Sequence, residues 1–319
     1  MDRISSKGKL MLLIALSIVL ILIYQFVFVD MKYFEYAMHI RTPKMIAIIL
    51  ASFCIGTASI VFQSIIRNRI VTPCLLGMNS LYILIHTTLV FVLGTGNMLV
   101  ANKHYSFVMD VALMGVAGSL IYGMLFKKTK YNILYVLLAG TVLATLFTSI
   151  SNTMTRLIDP NEYDKMLSSL VAGFDHVNSE LILMSVGLII ITMIVFWRDI
   201  KLLDVITLGK NQAINLGVDY DKTVSRLLVG VTFFITIATA LVGPISFLGL
   251  IIANLSREFF KTYRHSYLML GSFLMGVIVL FGGQALIEHV FGFGTQISVF
   301  INLFGGLYFL YLVLKNKGV

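Results

Sequence analysis

Long apolar stretches separated by short polar segments run along most of the chain. Ten stretches can be distinguished, and most approach the roughly 20 apolar residues needed to cross a bilayer. They cover residues 9–29, 43–65, 75–95, 107–126, 132–152, 180–197, 226–242, 245–260, 267–284 and 297–314. The pattern predicts an all-α, polytopic membrane bundle of about ten transmembrane helices, although 226–260 also fits one kinked element.

Composition supports a lipid environment. Hydrophobic residues make up 58% of the 319 positions and charged residues only 12%, whereas a soluble domain carries about 25% charged residues. Ten spans of about 20 residues consume roughly 200 positions. Because only short loops remain, we expect residues 1–319 to form a single transmembrane domain without a separate soluble catalytic domain.

The net charge of +9 is distributed in clusters that follow alternate apolar stretches. Short loops rich in Lys and Arg stay in the cytoplasm, which places both termini there and argues against nucleic-acid binding. The clusters are Arg3, Lys7 and Lys9; Arg67 and Arg69; Lys127, Lys128 and Lys130; Arg198, Lys201 and Lys210; Arg257, Lys261 and Arg264; Lys315 and Lys317. No small-x-small cleavage site follows the first stretch, so we expect an uncleaved first span.

The opposite loops are less basic. An acidic segment containing Asp159, Glu162, Asp164 and Asp175 falls on the external side. It includes the turn-forming sequence Asp159–Pro160–Asn161, which favours a structured external loop.

One cytoplasmic connection, from Trp197 to about Arg226, is longer and more apolar than the others. Within it, apolar residues alternate with polar ones over 202–218, which fits two short helices broken at Gly209 and Gly217. An exposed apolar face on a loop usually marks a protein contact. We therefore expect a partner protein to bind there.

The sequence lacks the common catalytic and nucleotide-binding motifs. It contains no G-x-x-x-x-G-K-[ST], G-x-S-x-G or H-E-x-x-H pattern. Its histidines are scattered without i,i+3 or i,i+4 pairs, and Cys54 and Cys74 form no metal-binding pattern. We therefore expect neither a metal site nor enzymatic chemistry on this chain.

Ionisable residues are scarce within the apolar stretches. Asp110 lies at the start of the fourth stretch, and Glu288 lies between the ninth and the tenth. Proton- and sodium-coupled carriers usually place acidic residues at mid-membrane depth. The scarcity favours a pathway powered by another subunit. It does not exclude the alternative of a carrier built from broken helices.

Polar uncharged residues gather where the second apolar stretch passes into the third. Pro73 interrupts regular helix there, and irregular backbone at such depth lies in protein or lines a water-filled path. A translocation path and an ordinary turn between two spans are both compatible with this pattern. The candidate path residues are Gln63, Asn68, Pro73, Gly77 and Asn79.

Four segments resemble the iron-chelate and cobalamin (FecCD-type) permease family of ABC importers, and the resemblance covers most of the chain from Arg41 onward. Arg41-Thr42-Pro43-Lys44 is similar to Arg-x-Pro-Arg, and Gln63 to Gly77 is similar to Q-x-x-x-x-N-P-L-A-x-P-x-x-L-G. Residues 208–218 resemble the family's cytoplasmic coupling segment. The segment 243–250 followed by Arg257 resembles G-x-I-x-F-V-G-L…R, with structural motif residues Gly243, Pro244, Phe247, Gly249 and Arg257.

Some family positions differ. Ala253-Asn254 replaces Pro-His, and the Asp and Arg usual in the ninth span are absent. These departures fit a chain that pairs with a different permease, but they do not exclude a homodimer.

The resemblance implies a permease subunit of the bacterial cell membrane that imports iron–siderophore complexes. Cobalamin or haem is the alternative cargo within the family, and an ion-coupled secondary carrier is the alternative class. The implied partners are a second permease, two ATP-binding subunits and an external substrate-binding protein. ATP is used by the partner subunit, and no cofactor is bound directly.

The resemblance also assigns roles to two surfaces. The ATPase subunits would dock on the coupling residues, Leu208, Gly209, Gln212, Ala213, Leu216 and Gly217. Arg41 and Lys44 would form ion pairs with acidic residues of the binding protein, or would anchor their span at the lipid headgroups.

Overall fold

The chain is described by a computed structural model that covers residues 6–27, 29, 31–129, 133–170, 172–174, 177, 179–292 and 295–315. Asp175, assigned above to the acidic external loop, lies outside these residues. The described part is helical, and the helices fall on the predicted apolar stretches.

Eight helices among the described residues are long and apolar enough to cross a membrane. They are α1 (Ser6–Phe26), α2 (Phe34–Ile66), α5 (Lys103–Lys128), α6 (Ile133–Thr155), α8 (Ser179–Lys201), α11 (Tyr220–Val242), α13 (His265–His289) and α14 (Ile297–Lys315). Two shorter apolar helices and four connecting helices complete the α-helices of the described chain. They are α3 (Met78–Leu93) and α12 (Leu248–Phe260), with α4 (Met98–Ala101), α7 (Pro160–Leu170), α9 (Leu203–Ile206) and α10 (Lys210–Asn215). The described chain also contains the 3-10 turns Met31–Tyr33 and Cys74–Leu76.

Each predicted apolar stretch corresponds to one of the longer helices, and 226–260 forms two helices rather than one kinked element. The predicted external loop contains α7, which begins at Pro160. Asp159 supports this helix start, because its side chain accepts a hydrogen bond from the backbone N–H of Asn161 (2.9 Å).

The helices α3 and α12 are too short to span the bilayer alone. Their 16 and 13 residues correspond to about 24 and 20 Å, against about 30 Å of hydrocarbon. Irregular backbone precedes each of them, at 67–77 and 243–247. The first turn of α3 contacts the second irregular segment, since Asn79 Nδ2 donates to Ser246 Oγ (3.2 Å). The first irregular segment contacts α5, because the Tyr122 hydroxyl donates to the Leu76 carbonyl (3.1 Å). Burial in protein and such side-chain contacts make irregular backbone tolerable at membrane depth.

Glycines make both irregular segments possible. Gly77 and Gly243 have φ angles of 94° and 82°, in the region that side chains with a Cβ disfavour. Both also sit against neighbouring backbone, Gly77 against Ala144 and Gly243 against Ala172.

The helix α2 forms the centre of the bundle and packs against α11, α12 and α13. Its most apolar window is 72% buried, whereas the corresponding windows of α1, α6 and α14 are 17–22% buried. Gly249 lets α12 approach α2 closely at Ser59. The peripheral helices therefore present their apolar faces to lipid or to other subunits.

Candidate functional site

The coupling segment, residues 202–218, consists of two short helices, which agrees with the prediction. Gly209, at φ 114°, separates α9 from α10. Gly217, at φ 80°, follows α10 in a Schellman motif, in which Gly217 N–H donates to the Ile214 carbonyl and Val218 N–H to the Ala213 carbonyl.

The coupling segment has one buried and one exposed apolar face. Leu203, Ile206 and Ala213 are buried and anchor it to the membrane helices. Leu208 and Leu216 are 54% and 62% exposed, Ile214 is exposed beside them, and Gln212 is exposed as well. Three exposed aliphatic side chains close together in sequence form a surface suited to a protein partner.

Two contacts attach the coupling segment to α2. Asp204 accepts a hydrogen bond from the backbone N–H of His265 (3.0 Å) and pairs with Nδ1 of the same ring. The buried His265 ring then reaches α2, with Nε2 2.9 Å from Ser64 Oγ. The second contact is steric: the guanidinium of Arg67, at the α2 C-cap, lies so close to Gly209 that a Cβ there would collide with it.

The hydrogen-bonded network continues into α12. Arg257 Nη2 donates to Ser64 Oγ (2.8 Å) and Arg257 Nε to Gln63 Oε1 (3.3 Å). Gln63 Nε2 and Asn254 Nδ2 both donate to the Arg69 carbonyl (2.8 Å each). The cytoplasmic ends of α2, α12 and α13 are thereby joined to Asp204 of the coupling segment.

The other predicted path residues lie in the irregular segment before α3, except Asn79, which lies in the first turn of α3. Asn68 accepts a hydrogen bond from Ile70 N–H (2.8 Å), and Pro73 begins the 3-10 turn Cys74–Leu76. Pro73, Gly77 and Asn79 are buried in protein. Asn79 Oδ1 has no hydrogen-bond partner among the described residues. These contacts show a packing role, and the assignment to a path stays a prediction.

The structural motif 243–250 places α12 between neighbouring helices. Gly243 follows α11 and Pro244 lies in the turn after it. Phe247 packs against Gly305 and Phe309 of α14. The motif therefore fixes how α11, α12 and α14 meet.

A polar stripe on α6 was not predicted from the sequence. Thr141, Thr145, Thr148 and Asn152 are exposed and lie on one face, because their spacing of four, three and four residues follows the helical repeat. Polar groups that face lipid are costly, so such a face normally points at protein or at a water-filled path. The spacing within the apolar stretch 132–152 was the signal that could have revealed it.

The structure corrects the prediction that Lys44 docks a binding protein. The Lys44 side chain is buried, and its ammonium lies 3.7 Å from Glu288 Oε1. Glu288 also accepts hydrogen bonds from the Tyr24 hydroxyl (2.9 Å) and Gln284 Nε2 (3.0 Å). A buried lysine in such a cluster joins α2 to α13 and does not present its charge to an external partner.

Arg41 lies near the same end of α2 and is half-buried. Its Nη1 donates to the backbone carbonyls of Tyr24 (2.7 Å) and Val27 (3.0 Å), at the end of α1. Arg41 thus caps α1, where a cation also suits the helix dipole. A docking role for Arg41 stays a prediction.

We expect Lys44→Met to lower the thermal stability of the purified protein. Removing one partner of a buried ion pair costs about 3–5 kcal/mol, because the remaining charge loses its compensation. Adding Glu288→Gln removes that charge and should restore most of the lost melting temperature. A double variant that melts at the same temperature as Lys44→Met, or at a lower one, would contradict this pairing.

Asp110, at the start of the fourth apolar stretch, is also buried and paired. Asp110 Oδ2 lies 3.1 Å from Nδ1 of His86, and both side chains are largely inaccessible to solvent. Both Asp110 and Glu288 thus have side-chain partners inside the protein. Within the described ranges, no group of three or more His, Cys, Asp or Glu side chains is placed to hold a metal ion.

The fold is that of an all-helical polytopic membrane bundle, with the exposed apolar face of residues 202–218 at one end. The FecCD transport family model matches residues 9–315, and the chain belongs to this family. It is therefore a multi-pass permease subunit of an ABC importer rather than an enzyme, as the sequence motifs predicted.

Several characterised proteins are similar to the chain. The petrobactin import system permease protein YclO of Bacillus subtilis is 44% identical over 98% of both chains. The corresponding protein FatC of Bacillus anthracis is 34% identical over 88% of this chain and 79% of its own length. A metal-chelate type ABC transporter solved in an inward-facing conformation superposes with a TM-score of 0.80 at 20% identity, covering 98% of this chain and 100% of the other.

Proposed function

We propose that this chain is the permease subunit of an ATP-driven importer for iron–siderophore complexes, with a petrobactin-type chelate as its cargo. The supporting observation is the 44% identity to a petrobactin import permease across almost the full length of both proteins. Haem is the alternative cargo within the family, but the hemin transport permease HmuU of Yersinia pestis is only 24% identical.

The chain is proposed to work beside a different permease. The YclN protein of Bacillus subtilis carries the same system name as YclO. It is 26% identical to this chain over 87% of this chain and 85% of its own length. Two distinct permeases in one system favour a heterodimer. Two ATP-binding subunits would dock on the coupling segments, and an external binding protein would deliver the chelate.

Growth of a deletion strain tests the proposed cargo. In iron-limited medium, a strain that lacks this gene should fail to grow on ferric petrobactin and should recover when the gene is restored. Growth on haem should be unaffected by the deletion. Normal growth of the deletion strain on ferric petrobactin, in the absence of a second petrobactin importer, would refute the assignment.

The polar stripe of α6 is proposed to line the translocation path between the two permeases. Its helix is among the least buried, and its polar face is left uncovered by the rest of the chain. A second permease packed beside α6 would shield these residues from lipid and leave them facing water.

We expect Thr145→Cys to react with a charged, membrane-impermeant thiol reagent in the assembled importer. Thiols react as thiolates, which form in water and not in lipid. Leu146→Cys is the matched control, because residue 146 lies at similar depth but about 100° around the helix. The native Cys54 and Cys74 are buried and should give little background. Equal labelling of both variants, or none at residue 145, would count against the path.

A further inference from the structure

A cavity of about 820 Å³ lies at the cytoplasmic ends of α2, α12, α13 and α14. Its volume falls in the range of small-molecule sites. Among the described residues, the lining carries the cations Arg67, Arg69, Arg257 and Lys261 and the single acid Glu258. The cavity is therefore strongly positive.

Arg257 lacks a compensating charge within the described part of the chain. Its guanidinium is half-buried and donates to neutral acceptors, namely Gln63 Oε1 (3.3 Å), Ser64 Oγ (2.8 Å) and the Ile60 carbonyl (3.5 Å). Arg69 is close enough to repel it electrostatically. Buried charges are normally paired with an opposite charge, and the open side of this cluster is the cavity.

We propose that this cavity binds a small anion that carries several carboxylate or phosphate oxygens. Guanidinium groups match such oxygens well, because their N–H donors form a planar fork. Two sources bring this chemistry to the cytoplasmic end of a permease: an anionic chelate that leaves the transport path, and the headgroup of an acidic phospholipid. The first source rests on the proposed function.

The site is connected to the coupling segment. Arg257 and His265 both contact Ser64 Oγ, and His265 contacts Asp204. Ser64 and His265 thus connect Arg257 to Asp204. An anion bound at Arg257 is therefore expected to influence how firmly the coupling segment is attached to α2.

Citrate, a tricarboxylate, tests the site. We would titrate it by calorimetry into the assembled importer, without ATP, in nanodiscs of phosphatidylcholine only. The wild type should bind citrate, and Arg257→Gln and Arg69→Gln should each weaken binding about tenfold or more, as expected for loss of a charged hydrogen-bond partner. The Arg69 side chain is exposed, so its variant tests the site even if Arg257→Gln fails to assemble.

Lys210→Gln is the matched control, because Lys210 lies on the coupling segment outside the cavity lining and pairs with Asp221 (2.7 Å). It should leave citrate binding unchanged.

Competition by added phosphatidylglycerol would support a headgroup ligand, and a lack of such competition would support the chelate. Undetectable citrate binding to the wild type, or equal weakening by Lys210→Gln, would overturn the proposal. Because neither cargo nor ATP is present, failed chelate import would count against the proposed function and not against this site.

Discussion

Replacing Leu216 with aspartate is expected to abolish chelate import while leaving the protein in the membrane at its normal level. Leu216 is 62% exposed on the coupling segment, so the isolated chain should tolerate the change. In the assembled importer, a docked ATPase subunit would bury the new carboxylate without a partner, which costs several kcal/mol. Import should therefore fall at least tenfold, measured as uptake of iron-labelled chelate by whole cells.

Asn211→Asp is the control for this experiment. It introduces the same charge at an exposed, already polar position of α10. Import by the control should stay within about twofold of wild type, a change that corresponds to roughly 0.4 kcal/mol. Unchanged import by Leu216→Asp would refute the docking role, and so would disappearance of that variant from the membrane.

Removing the connection through His265 is expected to separate ATP hydrolysis from import. Asp204→Asn removes the carboxylate that holds the ring, and Ser64→Ala removes its partner on α2. A hydrogen bond to a charged group contributes about 1.5–3 kcal/mol, so the number of chelates imported per ATP hydrolysed should fall tenfold or more. The ATPase rate should stay within about twofold, because the apolar docking face is unchanged.

A double-mutant cycle distinguishes coupling from simple damage. If Asp204, His265 and Ser64 act as one connection, the double variant should be hardly worse than either single variant. Lys210→Gln breaks an exposed ion pair on the same segment and should leave the ratio unchanged. Parallel losses of ATPase activity and import would indicate structural damage and would contradict the role assigned to His265.

Local patterns determine most of the fold, and these were readable from the sequence. Apolar stretches of sufficient length predicted the ten longer helices, because a bilayer permits few other structures. Gly209 and Gly217 marked the breaks in the coupling segment through the conformations that glycine favours. Basic clusters at alternate ends indicated the orientation.

The sequence was less informative about which distant residues meet. Lys44 was expected at an external surface because it matches a basic position of the family's Arg-x-Pro-Arg motif. Instead it is buried and paired with Glu288, 244 residues later. His265 was assigned no role, since its partners Asp204 and Ser64 lie 61 and 201 residues away. Such contacts depend on how helices pack, which neither hydrophobic period nor local spacing encodes.

The polar stripe of α6 is a different case. Its threonines were present in the sequence but each hydroxyl looked unremarkable within an apolar stretch. In the structure, Thr145 and Thr148 donate to carbonyls of their own helix (2.9 and 2.8 Å), which makes them tolerable at this depth. Only the exposure of the whole face distinguishes a possible path from ordinary packing.

Reconstitution tests most directly whether this permease imports an iron–siderophore complex with energy supplied by separate ATPase subunits. The permease pair and its ATPase subunits would be placed in liposomes, with binding protein and ferric petrobactin outside and ATP inside. Uptake of labelled iron should require ATP and all subunits, and should persist when ion gradients are collapsed. Uptake by the permease pair without the ATPase subunits, or uptake that disappears with the ion gradients, would contradict the claim.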